Sequence, residues 1–474
     1  MPVNSTALDA STAVPPPGPT PHLPSGPARV WIDCTYSYLH DHQTGIQRVV
    51  RNLVLAGARL DAACRPAIFA HDAWFTVAED RLASWDDLRR PELPPTNEAP
   101  LRRALRETGA AVGLRLRKAL VPRQIAHWCS AQWQKRLWNA RQQRLSFQPG
   151  DVLLLPDTTW LYPAPPDYTA LRSAGVRTGL LIYDILPVRF PQFWQPRIAA
   201  QFSRWLVQTL PQVDFLVADS RTVRDELRDY VARQFPEPRL SSDLIDWFPL
   251  GVSLDKRHDT ATPVRPQFAA AFARDTAPAA SPATSPTPQI YLSVATLEPR
   301  KNHALLLDAF DLVWQRHPHL RLCLVGRPGW LTESLVARLR QHPRLNRELF
   351  WFDDASDTEL AHAYSQADTF LFASFGEGFG LPIAEALTHR LPVMASDIPV
   401  HHEVAGDFAA YFDPHRVESL VELLLESVAV GRSWKRRDPA EYVPPDWTSG
   451  TQTLLATCRR LALAAAPDRT PAAA

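Results

Sequence analysis

Twice along this chain, short apolar runs alternate with stretches whose apolar residues recur at helical spacing. The two series are separated by a run of Ala, Pro, Ser and Thr with little periodicity. RVWIDC at 29–34, DVLLLP, TGLLIYDI and VDFLVADS read as buried strands of the first series. Polar loops and helical stretches such as GIQRVVRNLVLAGARL and RTVRDELRDYVARQF join them. QIYLSVAT, LRLCLVGR, ELFWFDD, TFLFAS and LPVMASD read as strands of the second series, with helices near 302–316, 331–341, 357–366, 381–389 and 416–429. Such alternation of strand and helix predicts parallel sheets. The expected fold is α/β, with two doubly wound domains whose ligands bind beyond the carboxyl ends of the strands, here in the cleft between the domains.

Length and charge agree with this reading and remove other classes. The 474 residues exceed what one core usually holds. A formal net charge of +1 excludes a globally basic nucleic-acid binder. Cys34, Cys64, Cys129, Cys323 and Cys458 are odd in number and lack CxxC spacing, which argues for buried, reduced thiols in a cytoplasmic compartment. Residues 1–28, rich in Pro, Ala, Ser and Thr, read as a disordered tail without the features of a signal peptide. No apolar run reaches the ~18 residues that a membrane span needs, so membrane contact would be peripheral, at the inner face of the plasma membrane. The expected domains are 29–255, an Ala/Pro-rich linker or disordered insertion at 256–288, a second domain at 289–430, and a returning helix and tail at 431–474.

Residues 101–146 stand apart. They hold eleven Lys and Arg against the single acidic Glu107, with Trp128, Trp133 and Trp138 among them. A basic, Trp-bearing helix of this kind can lie on an anionic membrane surface; equally, the tryptophans can pack on the first domain and leave the charges as a solvated face.

The run FGEGFGLPIAEAL, Phe375 to Leu387, concentrates the chemistry. Gly376, Gly378 and Gly380 allow close backbone approach and positive φ, while Pro382 suits the first turn of a helix. Free amides there favour an anion such as a pyrophosphate, and Glu377 and Glu385 can accept hydrogen bonds from sugar and ribose hydroxyls. The chain has five lysines against 46 arginines, which draws attention to Lys301 in LEPRKN, just past a strand. Arg300 and Lys301 there can neutralise a diphosphate.

These elements, with TGIQRVV at 44–50, YDILPVRFP at 183–191, VADSRTVRDEL at 217–227, PLGVSLD at 249–255 and LCLVGRPGW at 322–330, occur in an order that resembles the retaining glycosyltransferases of family 4. The resemblance implies the GT-B architecture and transfer of a hexosyl group from a nucleoside diphosphate sugar to a glycan or lipid-linked glycan, without a bound cofactor or metal. It implies that Glu377, with the amides of Gly378, Phe379 and Gly380 and with Leu381 next in the run, holds the donor sugar and diphosphate. Glu385 then holds the ribose, Arg300 and Lys301 stabilise the leaving group, and Gly45 belongs to a loop closing over the phosphates. Arg48, one turn on, faces either solvent or ligand. TGIQR with YDILP is similar to bacterial mannosyltransferases of surface polysaccharide assembly, so the first donor expected is GDP-mannose.

The chain departs from the family pattern at Tyr183, where many relatives have histidine before Asp184; Asp184, Tyr183 or the backbone must serve instead. Ala295 and Ala373 are smaller departures. Two rival readings are a catalytically inactive scaffold of a polysaccharide assembly complex and another GT-B enzyme, such as a phosphorylase or sugar-nucleotide epimerase. The adjacent aspartates of WFDDASD lead to Asp357, which reads as a helix N-cap, and His40, His42, His401 and His402 read as loop residues.

Overall fold

The computed structural model describes residues 28–39, 45–77, 143–162, 164–235, 240–252, 263–274 and 288–465. Most of the basic Trp-bearing segment lies outside these residues. The first domain begins with β1 (Val30–Asp33), α1 (Thr35–Leu39) and α2 (Gly45–Leu60). It continues through β2 (Cys64–Ala70), β3 (Ala73–Thr76), β4 (Val152–Leu155), α3 (Tyr168–Ser173) and β5 (Arg177–Ile182). Then come α4 (Leu186–Arg189), α5 (Pro196–Thr209), β6 (Phe215–Ala218), α6 (Arg221–Gln234) and β7 (Ile245–Trp247). The sheet order is β3-β2-β1-β4-β5-β6-β7.

All neighbours in this sheet are parallel except β2 and β3, which correct the all-parallel expectation. They form a hairpin whose two turn residues, His71 and Asp72, have φ of 51° and 62°. Positive φ at both positions matches the right-handed twist of the flanking strands, and His and Asp tolerate it better than most residues.

The second domain opens with α7 (Pro266–Phe272) and β8 (Ile290–Val294), then α8 (His303–Val313), β9 (Arg321–Val325), α9 (Glu333–Gln341) and β10 (Leu349–Phe352). It closes with α10 (Asp357–Gln366), β11 (Thr369–Phe372), α11 (Leu381–Thr388), β12 (Val393–Ser396), α12 (Pro399–Ala405), β13 (Ala409–Phe412) and α13 (Val417–Val430). Its six strands run β10-β9-β8-β11-β12-β13, all parallel. Chain order therefore reverses between β8 and β11. The loops leaving these adjacent strands diverge to opposite faces, which opens a crevice at their carboxyl ends.

Three readings need correction. Part of the stretch taken as a linker is α7, whose Phe268, Ala271 and Phe272 lie in the second domain's core. Seven residues with Pro at the start are too short to show a period, although the i, i+4 phenylalanines share one face. His401 and His402 belong to α12 and not to a loop. The N-cap of α10 is Ser356, in a reciprocal capping box with Glu359, so Asp357 is the first helical residue.

A last helix, α14 (Trp447–Ala464), crosses back to the first domain. Leu454, Leu455, Cys458 and Leu461 enter the same core as Val30, Ile32, Leu53 and Val54. Gly450 sits against the Pro249 carbonyl and Gly251 against the Trp447 backbone, closer than any side chain would permit. No described helix is long and apolar enough to cross a membrane. Cys34, Cys64, Cys323 and Cys458 are buried and free.

Candidate active site

The reversal between β8 and β11 brings two distant segments together. The chain leaves β8 through a single 3-10 turn, Pro299–Lys301, closed by Asn302 at φ 56°. The Phe375 amide donates to the Arg300 carbonyl (2.8 Å), tying that turn to the glycine run after β11. Arg300 then donates to Glu377 Oε2 (2.9 Å) and to the Gly376 carbonyl (3.2 Å), and Lys301 Nζ to Glu377 Oε1 (2.5 Å). A second carboxylate, Glu298, also pairs with Arg300 (2.7 Å). The Lys301 ammonium lies over the Phe372 ring, 4.8 Å from its centroid.

Electrostatics fixes the charge states of this cluster. Burial works to raise the Glu377 carboxyl, but Arg300 and Lys301 outweigh it and hold it down at about 2. Burial and the neighbouring Arg300 lower Lys301, against Glu377 and Glu298. Each Glu377 oxygen takes one cation, which leaves lone pairs on both for further donors. Arg300 Nε has no acceptor among the described residues.

His303, just beyond Lys301, carries a consequence for pH. Burial, with Lys301 beside it, pushes His303 down to about 3, and burial pushes His401 down to about 4. Both titrate near 6.5 when unfolded. Below that value these two histidines bind more protons in the unfolded chain than in the fold, so their contribution to stability is complete above about 6.5 and falls as pH drops towards 4. Thermal midpoints scanned across this window are expected to rise less steeply, or fall more steeply, with increasing pH in His303→Gln than in wild type, because buried carboxyls such as Asp33, raised to about 7, contribute a slope of opposite sign in both proteins. An unchanged slope in that variant would remove His303 from the account.

The glycine run sits against the first domain. Gly380, the N-cap of α11, has φ 96°. At Gly378 a Cβ would collide with the Tyr183 carbonyl, and at Gly376 it would come 2.8 Å from Leu186 Cδ2. Ser220 Oγ, after β6, donates to the Gly378 carbonyl (2.8 Å). Phe379 and Leu381 pack on the cores of both domains. Glu385, buried on α11, accepts from Arg48 (2.5 Å) and the Tyr364 hydroxyl (3.0 Å).

Other contacts hold the two carboxyl edges together. Glu403 of α12 accepts from the Arg221 and Thr222 amides (2.7 and 2.9 Å) and the Thr222 hydroxyl (2.7 Å), capping α6 from the other domain. Trp330 donates to the Phe193 carbonyl (2.8 Å) and stacks on Trp194 at 4.8 Å, while Phe193 stacks on Phe375 at 4.9 Å.

On the first domain's side, four parallel strands run into aspartates: Asp33 as the last residue of β1, Asp157 after β4, Asp184 after β5 and Asp219 after β6. Asp184 accepts from the Leu186 amide (3.0 Å). Burial raises its carboxyl, Arg300 opposes the rise and Glu377 adds to it, so Asp184 interacts with the cation cluster across the cleft. Burial and the nearby Asp157 push Asp33 up to about 7; it accepts from the Thr35 and Tyr162 hydroxyls, both at 2.5 Å.

Residues 278–440 match the family model described as glycosyl transferases group 1. This chain carries a group 1 glycosyl transferase domain. It is similar to the serotype-specific mannosyltransferase WbdA of Escherichia coli, 35% identical over 289 residues, which are 60% of this chain and 34% of that one. The O-antigen chain mannosyltransferase B of Escherichia coli is 33% identical over 145 residues, 30% of this chain and 38% of that one. The chain thus spans little more than a third of the length of these relatives. Among solved structures, sucrose-phosphate synthase from Thermosynechococcus elongatus covers 92% of this chain and 94% of its own at 14% identity, with a TM-score of 0.49. Each domain's sheet is parallel in its centre, and the two domains meet at their carboxyl edges.

Within the glycosyl transferase domain, Arg300, Lys301, Glu377, Gly378, Phe379, Gly380 and Leu381 lie together, and Asp184 meets them from the first domain. Glu385 lies one helical stretch away, joined to Arg48, which reaches it from the first domain and stays partly exposed. Gly45 stands apart: it is exposed, and nothing lies within 4 Å of where its Cβ would be. The Tyr183 hydroxyl donates to the Pro156 carbonyl (2.8 Å) inside its own domain, while its backbone carbonyl stands against Gly378. Sequence reasoning missed Asp33, Asp157, Asp219 and Glu403. The signal for the first three was the recurrence of an aspartate at the end of VWID, LLLPD and LVAD.

Proposed function

We propose that this protein transfers a hexosyl group from a nucleoside diphosphate sugar to a hydroxyl of a glycan or lipid-linked glycan, with retention of configuration. GDP-mannose is the first donor of choice. The observation that carries the reading is the convergence of Arg300 and Lys301 on Glu377 at the β8/β11 crevice, opposite Asp184. Two cations with unused N–H donors match the charge that develops on a departing diphosphate, and preorganised stabilisation of that kind is commonly the largest catalytic contribution. On this reading they do the work a divalent ion would otherwise do, and EDTA leaves the rate unchanged.

Glu377 accepts sugar hydroxyls through its remaining lone pairs and is held in place by the same two cations. Tied to both, it is a poor nucleophile, which favours attack on the face the diphosphate leaves, assisted by that leaving group. Glu385, already fixed by Tyr364, accepts the ribose hydroxyls once Arg48 swings aside. The mannosyltransferases among the relatives support the choice of sugar.

Turnover of GDP-mannose, UDP-glucose and ADP-glucose, with thermal shifts by GDP, UDP and ADP, tests this. The cognate nucleotide at a hundred times its dissociation constant stabilises by ~2.7 kcal/mol. Binding without hydrolysis or transfer from any donor would sink the reading.

A further inference from the structure

His401 is fully buried in the first turn of α12, at the carboxyl end of β12. Its Nδ1 lies 3.0 Å from the Ser396 carbonyl, which can only accept, so Nδ1 carries the hydrogen. Burial, with Lys301 contributing, keeps the ring neutral. The other nitrogen, Nε2, is therefore an acceptor with a lone pair, and no described protein group donates to it. An unanswered buried acceptor of this kind has lost its hydration without a bond in return.

The ring's position says what could answer it. The edge bearing Cδ2 and Nε2 lies against Gly380, 3.6 Å from where a Cβ would stand. Phe372, which carries Lys301 on its face, is 5.4 Å from the ring, and the imidazole interacts with the Glu377 charge. The acceptor thus lies beside the turn that holds Glu377.

We infer that His401 Nε2 receives a hydrogen bond from a hydroxyl of the transferred hexosyl group and so helps select the donor sugar. The inference rests on the donor reading above and adds a specificity residue to it. Phosphate oxygens are excluded as partners because they bring no hydrogen to a lone pair. A hexose hydroxyl does bring one, and the same tautomer that refuses the diphosphate accepts it.

The test uses the full chain and calorimetric titration of the free nucleoside diphosphate and of the cognate sugar nucleotide, for wild type, His401→Phe and His401→Gln. His401→Phe is expected to bind the free nucleotide as wild type does, and to lose about tenfold in affinity for the sugar nucleotide and in kcat/KM. His401→Gln, which keeps an acceptor oxygen near the Nε2 position, recovers part of that loss. Equal weakening of both ligands would place the contact on the nucleotide and overturn the inference. So would a lowered thermal midpoint with ligand binding unchanged, which means a structural or water-bound nitrogen. If the wild type binds nucleotide but no sugar nucleotide adds to it, the donor reading falls first, and this assignment falls with it.

Discussion

Lys301→Met is expected to fold and to lose turnover by two to three orders of magnitude, the scale seen when one preorganised donor to developing negative charge is removed. Methionine keeps most of the side-chain stem, so the packing on Phe372 survives and the lost element is the ammonium 2.5 Å from Glu377 Oε1. Arg300 remains on the other oxygen, so the Glu377 carboxyl rises from its depressed value and still stays ionised near neutral pH. Lys301→Arg is expected to recover little, because a planar fork does not fit where a compact point charge sat. The measurement is kcat with the cognate donor beside a thermal midpoint. Near-normal turnover in a folded Lys301→Met protein would remove this residue from leaving-group stabilisation.

The second large effect is expected at Gly378, where the two domains touch backbone to backbone. A methyl group there meets the Tyr183 carbonyl, so the two loops must part to admit it. Gly378→Ala should therefore keep both cores and lose the closed contact, including the bond from Ser220 to the Gly378 carbonyl. Turnover should fall by about a hundredfold or more, since a misplacement of ~1 Å between donor and acceptor is enough for that. Small-angle scattering should report a larger radius of gyration with an unchanged circular dichroism spectrum. The control is Val443→Ala, at a highly exposed position away from the cleft, which should leave both readouts unchanged. Wild-type compactness and turnover in Gly378→Ala would show that the domains need not meet there.

The strands were readable because a strand buried on both faces has no room for polar residues, and VLLL, FLVA and TFLF are short, unbroken apolar runs. Strands that depart from that pattern escaped: β2 carries Pro66 and β13 begins with two alanines. At the candidate site, Arg300, Lys301 and the glycine run could be picked out singly from residue type and context. Their pairing could not be read from the chain's own order, because 76 residues separate Lys301 from Glu377 and only the strand order makes them neighbours. The same holds for Arg48 and Glu385, which are 337 residues apart. A helix cap supplied by another domain, as Glu403 supplies α6, leaves no local mark at either end.

The return of α14 has a consequence for how the molecule is made. The second domain is a contiguous stretch of chain, whereas the first lacks part of its apolar core until Leu454, Leu455, Cys458 and Leu461 are available. Domains usually complete themselves in the order of synthesis. Here the later domain can finish first, and the earlier one must wait on the ribosome with the α2 side of its sheet uncovered. A premature stop between 443 and 447 would release a polypeptide whose second domain keeps Trp434 and Tyr442 and is whole, and whose first domain is a sticky, unfinished surface, a substrate for chaperones and proteases.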